Sequence, residues 1–314
     1  MTTPPTPPAP SGPPVPGPIG VVAHYNLLEQ LDPSGPGDLY RARDTRLGRT
    51  VAIRLLPLDF ASDSAARTEL LARAREMTAL SHPNVITLFD VGEHDGRMYL
   101  AFEFLQGQSL RREIFDRSIN VRRAIETTIQ IADAIAAAHG LGFVHGGLSA
   151  DSVSVTARGH AKVPAFELAA HAGFAGDGGL HDYNSPEEMA GNAPDDRSDV
   201  YSVGAILYEM LTGRTPNPRG SAAPSASNPH VPPQLDQLTL RAVAPNPDNR
   251  PQGMALLAGE LRVLVAGMDA RGGASDEVET GGRGTGSSTG LLVVVAAVVL
   301  IAVVLWIWRS AVAQ

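Results

Sequence analysis

The chain has 314 residues, a hydrophobic fraction of 43% and a formal net charge of −8 at pH 7. This length is sufficient for one folded domain of about 240 residues with a tail at each end. Because the charge balance is acidic and no basic block overrides it, a nucleic-acid surface is excluded. The absence of cysteine from the sequence excludes disulfides, thiol catalysis and thiolate zinc sites.

The first part of the chain divides into a tail and a strand-rich segment. Residues 1–20 are rich in proline and poor in apolar side chains, which predicts an extended, disordered tail. This tail has neither a basic region nor an apolar run, so we predict that it is not a signal peptide. From Tyr25 to Ile53, apolar and polar residues alternate around a turn-rich centre, and this pattern predicts three antiparallel strands.

Helical periodicity follows at Ser64 to Leu80 and again at Val121 to His139. The segment directly after the second helix, Phe143 to Val155, has the sequence FVHGGLSADSVSV. Three further motifs stand in the second half of the chain: Ser185-Pro186-Glu187, Asp199-Val200-Tyr201-Ser202 and Asn249-Arg250-Pro251.

Together these motifs resemble the eukaryotic-like (Hanks-type) serine/threonine protein kinases of bacteria. Phe143 to Val155 is similar to the family's catalytic loop, F-V-H-R-D-L-K-P-x-N-I-L-V, and Ser185-Pro186-Glu187 is similar to its A-P-E motif. The resemblance covers about Tyr25 to Val265. It implies an α+β, two-lobed kinase-like fold, with a small β-rich lobe at residues 21–104 and a large helical lobe at residues 105–265.

The resemblance also implies that the family's catalytic groups are replaced. Gly147 stands where the family has the aspartate that accepts the substrate proton, Ser149 where it has a lysine, and Ser152 where it has a metal-binding asparagine. Ala165 takes the place of the magnesium-binding aspartate of D-F-G. We therefore expect no catalytic residue, no metal site, and weak or absent binding of ATP and magnesium.

The nucleotide-binding positions differ from the family as well. Arg54 replaces the phosphate-pairing lysine of V-A-I-K, and a planar guanidinium does not reproduce a compact ammonium. Gly37 is the only glycine left of the G-x-G-x-x-G loop, and Asp32 and Asp38 add negative charge where phosphates are expected. We expect this loop to repel a triphosphate. The remaining pocket positions that the resemblance assigns are Ala52, Ser154 and the gatekeeper Phe102.

One position of the predicted first helix is open to two interpretations. Arg73 occupies the place of the family's ion-pairing glutamate, so two arginines would face each other. Glu69 or Glu76, each about one turn away, is the alternative partner for Arg54.

By contrast, the residues that support the kinase fold are retained. Arg250 is expected to pair with Glu187, because a buried carboxylate and a buried guanidinium must come together. Asp199 begins the central helix of the large lobe in this resemblance. The apolar column that joins the two lobes corresponds to Met77, Leu88, His145 and Phe166.

The C-terminal part of the sequence predicts a membrane anchor. Residues 266–290 are rich in glycine, serine and threonine and predict a flexible linker. Leu291 to Trp308 is an uninterrupted apolar run that would form a helix of about 27 Å, enough to span a bilayer. The alternative, a buried core helix, is disfavoured because Trp306, Trp308 and Arg309 form an interfacial anchor. Residues 309–314 would be a short extracytoplasmic tail, with the large N-terminal domain in the cytoplasm and the helix in the inner (cytoplasmic) membrane.

From these features we predict a single-pass, membrane-anchored pseudokinase that acts as a binding or regulatory scaffold in signalling and is not an enzyme. The expected partner is a protein, either a kinase, a phosphopeptide-reading domain or cell-envelope machinery, and not a nucleic acid. The alternative is a divergent ATP-dependent serine/threonine protein kinase that uses non-standard residues. A decayed paralogue is disfavoured because the packing positions are retained.

Overall fold

The structure is a computed structural model, and it describes residues 18–32, 38–57, 64–116, 119–164 and 182–279. The chain divides into two compact units, Met1–Val265 and Ala266–Gln314. Within the described ranges, no helix is both long enough and apolar enough to cross a bilayer. Several predicted features lie outside the described residues: Gly37, Ala165, Phe166 and the apolar run from Leu291 to Trp308.

A six-stranded antiparallel sheet forms the small lobe, in the order β1-β2-β3-β4-β6-β5. Its strands are β1 (Gly20–Val22), β2 (Tyr25–Asp32), β3 (Asp38–Asp44), β4 (Thr50–Leu55), β5 (Leu88–His94) and β6 (Arg97–Glu103). The sheet forms because alternate apolar side chains reach one face, where Tyr25, Val51, Ile53 and Ala101 pack in a common core. The three strands predicted between Tyr25 and Ile53 are present as β2, β3 and β4.

One helix, α1 (Ser64–Met77), connects β4 to β5, and the large lobe is mainly helical. Its helices are α2 (Leu110–Asp116), α3 (Val121–His139), α4 (Pro186–Met189), α5 (Asp196–Thr212), α6 (Pro233–Ala242) and α7 (Met254–Glu279). A small sheet of β7 (Gly107–Ser109), β8 (Ser154–Thr156) and β9 (Ala161–Lys162) lies beside them. The predicted α+β, two-lobed architecture is therefore confirmed.

Helix α5 is the centre of the large lobe, because every residue from Ser198 to Leu211 is buried. The helix begins at a side-chain cap, in which the carboxylate of Asp195 accepts hydrogen bonds from the N–H groups of Arg197 and Ser198. It ends at Gly213, whose φ of 74° is in the left-handed region that glycine adopts without strain. The periodicity of residues 121–139 predicts α3 to the residue, and the side chain of Asn120 caps that helix.

Helix α7 extends to Glu279, whereas the composition of the sequence predicts a flexible linker from residue 266. The physical reason is that the glycines of this stretch are interspersed with alanine, methionine, arginine and glutamate, all of which favour a helix. The linker predicted beyond residue 279 lies outside the described residues.

Helices α5 and α6 approach so closely at Gly204 that a side chain has no room there. A Cβ atom on Gly204 would lie 2.6 Å from Cβ of Ala242. We expect Gly204→Ala to lower the free energy of unfolding by about 1–3 kcal/mol, because the two helices must separate. Gly259→Ala on α7 is the matched control, since a Cβ there meets nothing within 4 Å. Urea unfolding should show that the control is neutral or more stable by about 0.5–1 kcal/mol; equal effects of both variants would refute the packing explanation.

Candidate functional site

The segment between α3 and β8 is held in place by Asp199 in the first turn of α5. The carboxylate of Asp199 accepts a hydrogen bond from the backbone N–H of His145 at 2.7 Å and from that of Gly146 at 2.9 Å. Nε2 of His139, the last residue of α3, lies 2.8 Å from the same carboxylate. Asp199 is fully buried, and its position at a helix N-terminus favours its negative charge. This carboxylate therefore fixes the segment against the core of the large lobe.

Gly146 has a positive φ of 60°, and a Cβ atom there would lie 2.9 Å from Cγ of Pro194. A larger residue would be strained both by the backbone and by this contact. The sequence analysis assigns no role to Gly146. The two adjacent glycines, Gly146 and Gly147, could have indicated a position with a positive φ. Gly147, the position of the family's proton acceptor, follows directly and carries no side chain.

Ser149 and Ser152 bind each other. The backbone N–H of Ser149 donates to Oγ of Ser152 at 3.0 Å, and the backbone N–H of Ser152 donates to Oγ of Ser149 at 3.2 Å. The hydroxyl of Ser152 also donates to the carbonyl of Ser149 at 2.9 Å. Magnesium selects carboxylates and demands near-octahedral oxygen ligands, so this closed pair does not fit the ion. Among the described residues no cluster of three or more histidines or carboxylates is suited to a metal.

Asp151 is the carboxylate of this segment, and its side chain is 57% exposed. Nε of Arg111 on α2 lies 3.3 Å from it. Arg111 also contacts the buried carboxylate of Glu209 and the hydroxyl of Tyr183, which itself donates to Glu209. Burial raises the pKa of Tyr183 to about 12, so its phenol keeps the proton that it donates. The carboxylate of Asp151 is therefore paired with Arg111 and remains accessible to solvent.

An apolar pocket of about 200 Å³ lies between the two lobes. Strands β2, β3, β4 and β6, the hinge at residues 104–106 and β8 contribute its walls, and three of the predicted positions line it: Ala52, Phe102 and Ser154. Its volume is below that of pockets for drug-sized ligands, so it accommodates one planar ring system rather than a whole nucleotide. The pocket has the size and polarity that suit a nucleobase.

Arg54 lies on β4, two residues after Ala52, and therefore on the same face of the strand as that pocket residue. Only 6% of Arg54 is exposed. A guanidinium on this face brings positive charge next to the pocket, where it attracts an anionic group of a ligand. On α1, Arg73 and Glu76 are both exposed, whereas the side chain of Glu69 lies outside the described residues.

Asp38, one of the two acidic residues expected to repel phosphates, forms an ion pair. Its carboxylate lies 3.1 Å from Nη2 of Arg97, and Nε of Arg97 donates to the carbonyl of Leu56 at 3.1 Å. The negative charge of Asp38 is therefore partly offset by Arg97, and the expectation that Asp38 repels phosphates stays a prediction. The side chain of Asp32, the second acidic residue of that expectation, lies outside the described residues.

Arg250, which is expected to pair with Glu187, is buried, and Glu187 is half-buried. Nη1 and Nη2 of Arg250 donate to the two carboxylate oxygens of Glu187 at 2.6 and 2.8 Å. Burial alone would raise the pKa of Glu187, but hydrogen bonds from Arg250 lower it to about 2. Three members of the expected apolar column are almost inaccessible to solvent: Met77, Leu88 and His145.

Comparison with known proteins identifies relatives of the whole two-lobed unit. Residues 25–258 match the protein kinase domain family. A probable serine/threonine-protein kinase of Streptomyces coelicolor is 33% identical over 77% of this chain and 39% of its own length. PknB of Mycolicibacterium smegmatis is 33% identical over 76% of this chain and 42% of its own length, and PrkC of Bacillus subtilis is 30% identical over 73% and 39%. The chain thus spans about two fifths of the length of these relatives.

Solved structures share the fold. The kinase domain of Mycobacterium tuberculosis PknI aligns with a TM-score of 0.65 over 77% of this chain and 96% of that domain, at 23% identity. The resemblance to bacterial serine/threonine kinases is therefore confirmed.

These relatives are named as serine/threonine-protein kinases, which contradicts the prediction that the chain is not an enzyme. That prediction rests on the replacement of the family's catalytic aspartate, its phosphate-pairing lysine and its two metal ligands, at Gly147, Arg54, Ser152 and Ala165.

Proposed function

The chain belongs to the protein kinase domain family, and on this premise we propose that it is a divergent ATP-dependent serine/threonine protein kinase that uses non-standard residues. The observation that carries the proposal is the apolar pocket between the lobes, which has the size of a nucleobase and lies next to the buried Arg54. The sequence identity to kinases of three bacteria supports it.

Three groups of this chain would carry the reaction. The adenine ring occupies the inter-lobe pocket, and Arg54 compensates negative charge on the phosphates. The oxygen of a substrate serine or threonine hydroxyl forms a bond to the γ-phosphorus while the bond to the β-phosphate oxygen breaks, and ADP leaves. The hydroxyl proton passes to the carboxylate of Asp151, the one carboxylate between Phe143 and Val155 in the sequence.

A phosphotransfer assay tests this proposal. The full-length chain is incubated with millimolar ATP and a serine/threonine peptide library, and phosphopeptides are counted by mass spectrometry. We expect slow transfer that Asp151→Asn reduces about 10²–10⁴-fold, the usual contribution of a proton acceptor. Asp133→Asn is the matched control, because Asp133 is a carboxylate on α3 that pairs with Arg262. Absence of transfer by the unaltered chain, or equal transfer by Asp151→Asn, would overturn the assignment.

A second role, regulation through protein binding, is supported by the replacement of the family's catalytic side chains at Gly147, Ser149 and Ser152. Ser149 and Ser152 instead bond to each other within the loop. We propose that the domain also acts as a scaffold that binds a protein partner in signalling, such as a kinase, a phosphopeptide-reading domain or envelope machinery. Co-purification of one such partner with the Asp151→Asn variant would support a role independent of turnover.

The location that we propose is the cytoplasmic membrane. The apolar run from Leu291 to Trp308 would cross the bilayer once and leave the kinase-like domain in the cytoplasm. Removal of residues 291–314 should release the domain from the membrane fraction, and persistence of the truncated chain in that fraction would contradict the anchor.

A further inference from the structure

A groove of about 620 Å³ lies apart from the inter-lobe pocket, and no residue lines both cavities. Its walls come from the loop before β5, the hinge, α3 and the hairpin formed by β8 and β9. The groove is about three times as large as the pocket that the proposed kinase reaction uses. Nothing in the kinase reaction accounts for it.

One wall of this groove is basic. Arg158, His160 and Lys162 line it, and the first two are exposed on the turn between β8 and β9. Within the described part of the chain, no aspartate or glutamate contributes to the lining. A chain with a net charge of −8 thus presents a locally cationic groove, which attracts anionic groups.

Gln130 adds an oriented donor at the floor of the groove. Its Oε1 accepts a hydrogen bond from Nδ2 of Asn84 at 3.0 Å and another from the backbone N–H of Ala161 at 2.9 Å. These two bonds fix the orientation of the amide, so that Nε2 is left as a donor with no hydrogen-bond partner among the described residues. An acceptor such as a carboxylate oxygen would satisfy it.

The backbone next to these lining residues is held by hydrogen bonds. Val85 and Val163 form a parallel bridge, and the N–H of Ile86 donates to the carbonyl of Val163 at 2.8 Å. Nζ of Lys162 is held by the carboxylate of Glu103, at 2.8 Å, and by the carbonyl of Val85. A ligand would therefore find these groups already in position, which reduces the entropy cost of binding. Because Glu103 shares the charge of Lys162, Arg158 remains the main cationic contact, and His160 is a further side chain with ring nitrogens on the same wall.

We propose that this groove binds an acidic segment of a partner protein, whose carboxylates accept hydrogen bonds from Arg158, His160 and Nε2 of Gln130. The open groove holds several residues of an extended polypeptide, and charge-assisted hydrogen bonds to carboxylates suit its basic and amide donors. A nucleic acid fits less well, because none of the lining residues offers the large aromatic face on which unpaired bases stack. This inference is independent of phosphotransfer.

Binding of a labelled peptide to the full-length chain tests the inference. The probe is a fluorescein-labelled decapeptide with six glutamates, and the control peptide has glutamine at those six positions. We expect fluorescence anisotropy to report binding of the glutamate peptide only, with an affinity that falls as salt rises. The double substitution Arg158→Glu with His160→Glu should weaken binding at least tenfold, and Gln130→Leu should weaken it by a smaller factor.

Arg219→Glu is the matched control, because Arg219 is an exposed arginine on the loop after α5 and outside the groove. It should leave the affinity unchanged. An equal loss in Arg219→Glu would show a general charge effect and overturn the site, as would unchanged binding by the double variant. Failure of the glutamate peptide to bind at 1 mM, or tighter binding of an oligodeoxythymidine of equal charge, would also overturn it. The double variant should keep the phosphotransfer activity of the unaltered chain, so that loss of peptide binding is distinguished from loss of the proposed kinase activity.

Discussion

Replacing Arg250 by alanine should lower the free energy of unfolding by about 3–5 kcal/mol, the usual cost of removing one member of a buried ion pair. Arg250 is fully buried and donates to both oxygens of Glu187. It also donates to the backbone carbonyls of Ala244 and Arg197, at 2.8 and 2.9 Å. Alanine would leave the half-buried Glu187 carboxylate without its cation and these carbonyls without a donor.

Urea unfolding measures this effect, with Arg241→Ala as the control. Arg241 also pairs with a glutamate, Glu260, but 48% of its side chain is exposed, and an exposed pair contributes about 0–1 kcal/mol. In the Arg250→Ala background, a second change of Glu187→Gln should recover part of the loss, because it removes the uncompensated charge. A urea unfolding curve of Arg250→Ala that matches the unaltered chain would mean that the pair is not the link between α4 and the segment before α7 that the structure shows.

The pH dependence of stability follows from the same pair. Arg250 lowers the pKa of folded Glu187 to about 2, below the ordinary glutamate value of 4.5. A group whose pKa is depressed on folding stabilises the protein above its unfolded pKa and loses this contribution as pH falls through the folded pKa. The stability difference between the unaltered chain and Glu187→Gln should therefore be constant above pH 4.5 and shrink between pH 4.5 and about 2. A constant difference across this range would contradict the assignment.

The sequence predicts the fold well where local periodicity or a motif carries the information. The alternation from Tyr25 to Ile53 predicts three strands, and the apolar spacing of residues 121–139 predicts α3, because both patterns reflect which face of an element is buried. The pairing of Glu187 with Arg250 follows from a motif match, since neither charge could be buried alone.

The contacts that sequence reasoning missed join residues whose proximity depends on the tertiary fold. Asp38 and Arg97 are 59 positions apart, so no local pattern indicates that one neutralises the other. The mutual hydrogen bonds of Ser149 and Ser152 were missed for a different reason. Comparison with the family shows which catalytic side chains these two positions lack. It does not show that the serine hydroxyls that replace them form hydrogen bonds with each other's backbone.

Removing the positive charge of Arg54 should weaken ATP binding at least tenfold and leave adenosine binding unchanged. Arg54 is buried on the strand that lines the pocket. Because Asp38 pairs with Arg97, we expect Arg54 to be the cation that attracts the phosphates of ATP most strongly. Adenosine has no phosphates and contacts only the apolar pocket. Arg54→Met keeps the length of the side chain and deletes the charge; Arg43→Met, on the exposed side of β3, is the control.

The absolute affinity for ATP should be weak, with a dissociation constant above about 100 µM, equivalent to roughly −5.5 kcal/mol, whether or not magnesium is added. One guanidinium faces three phosphates, and the described residues contain no cluster of three or more histidines or carboxylates whose metal ion would share their charge. Ligand-observed NMR detects binding in this range for both ATP and adenosine. A magnesium-dependent constant below about 100 µM would reveal a metal site that the residues at Ser152 and Ala165 do not provide. If Arg54→Met binds ATP as tightly as the unaltered chain does, the phosphates do not lie beside β4. That result would also contradict the reaction proposed for this pocket.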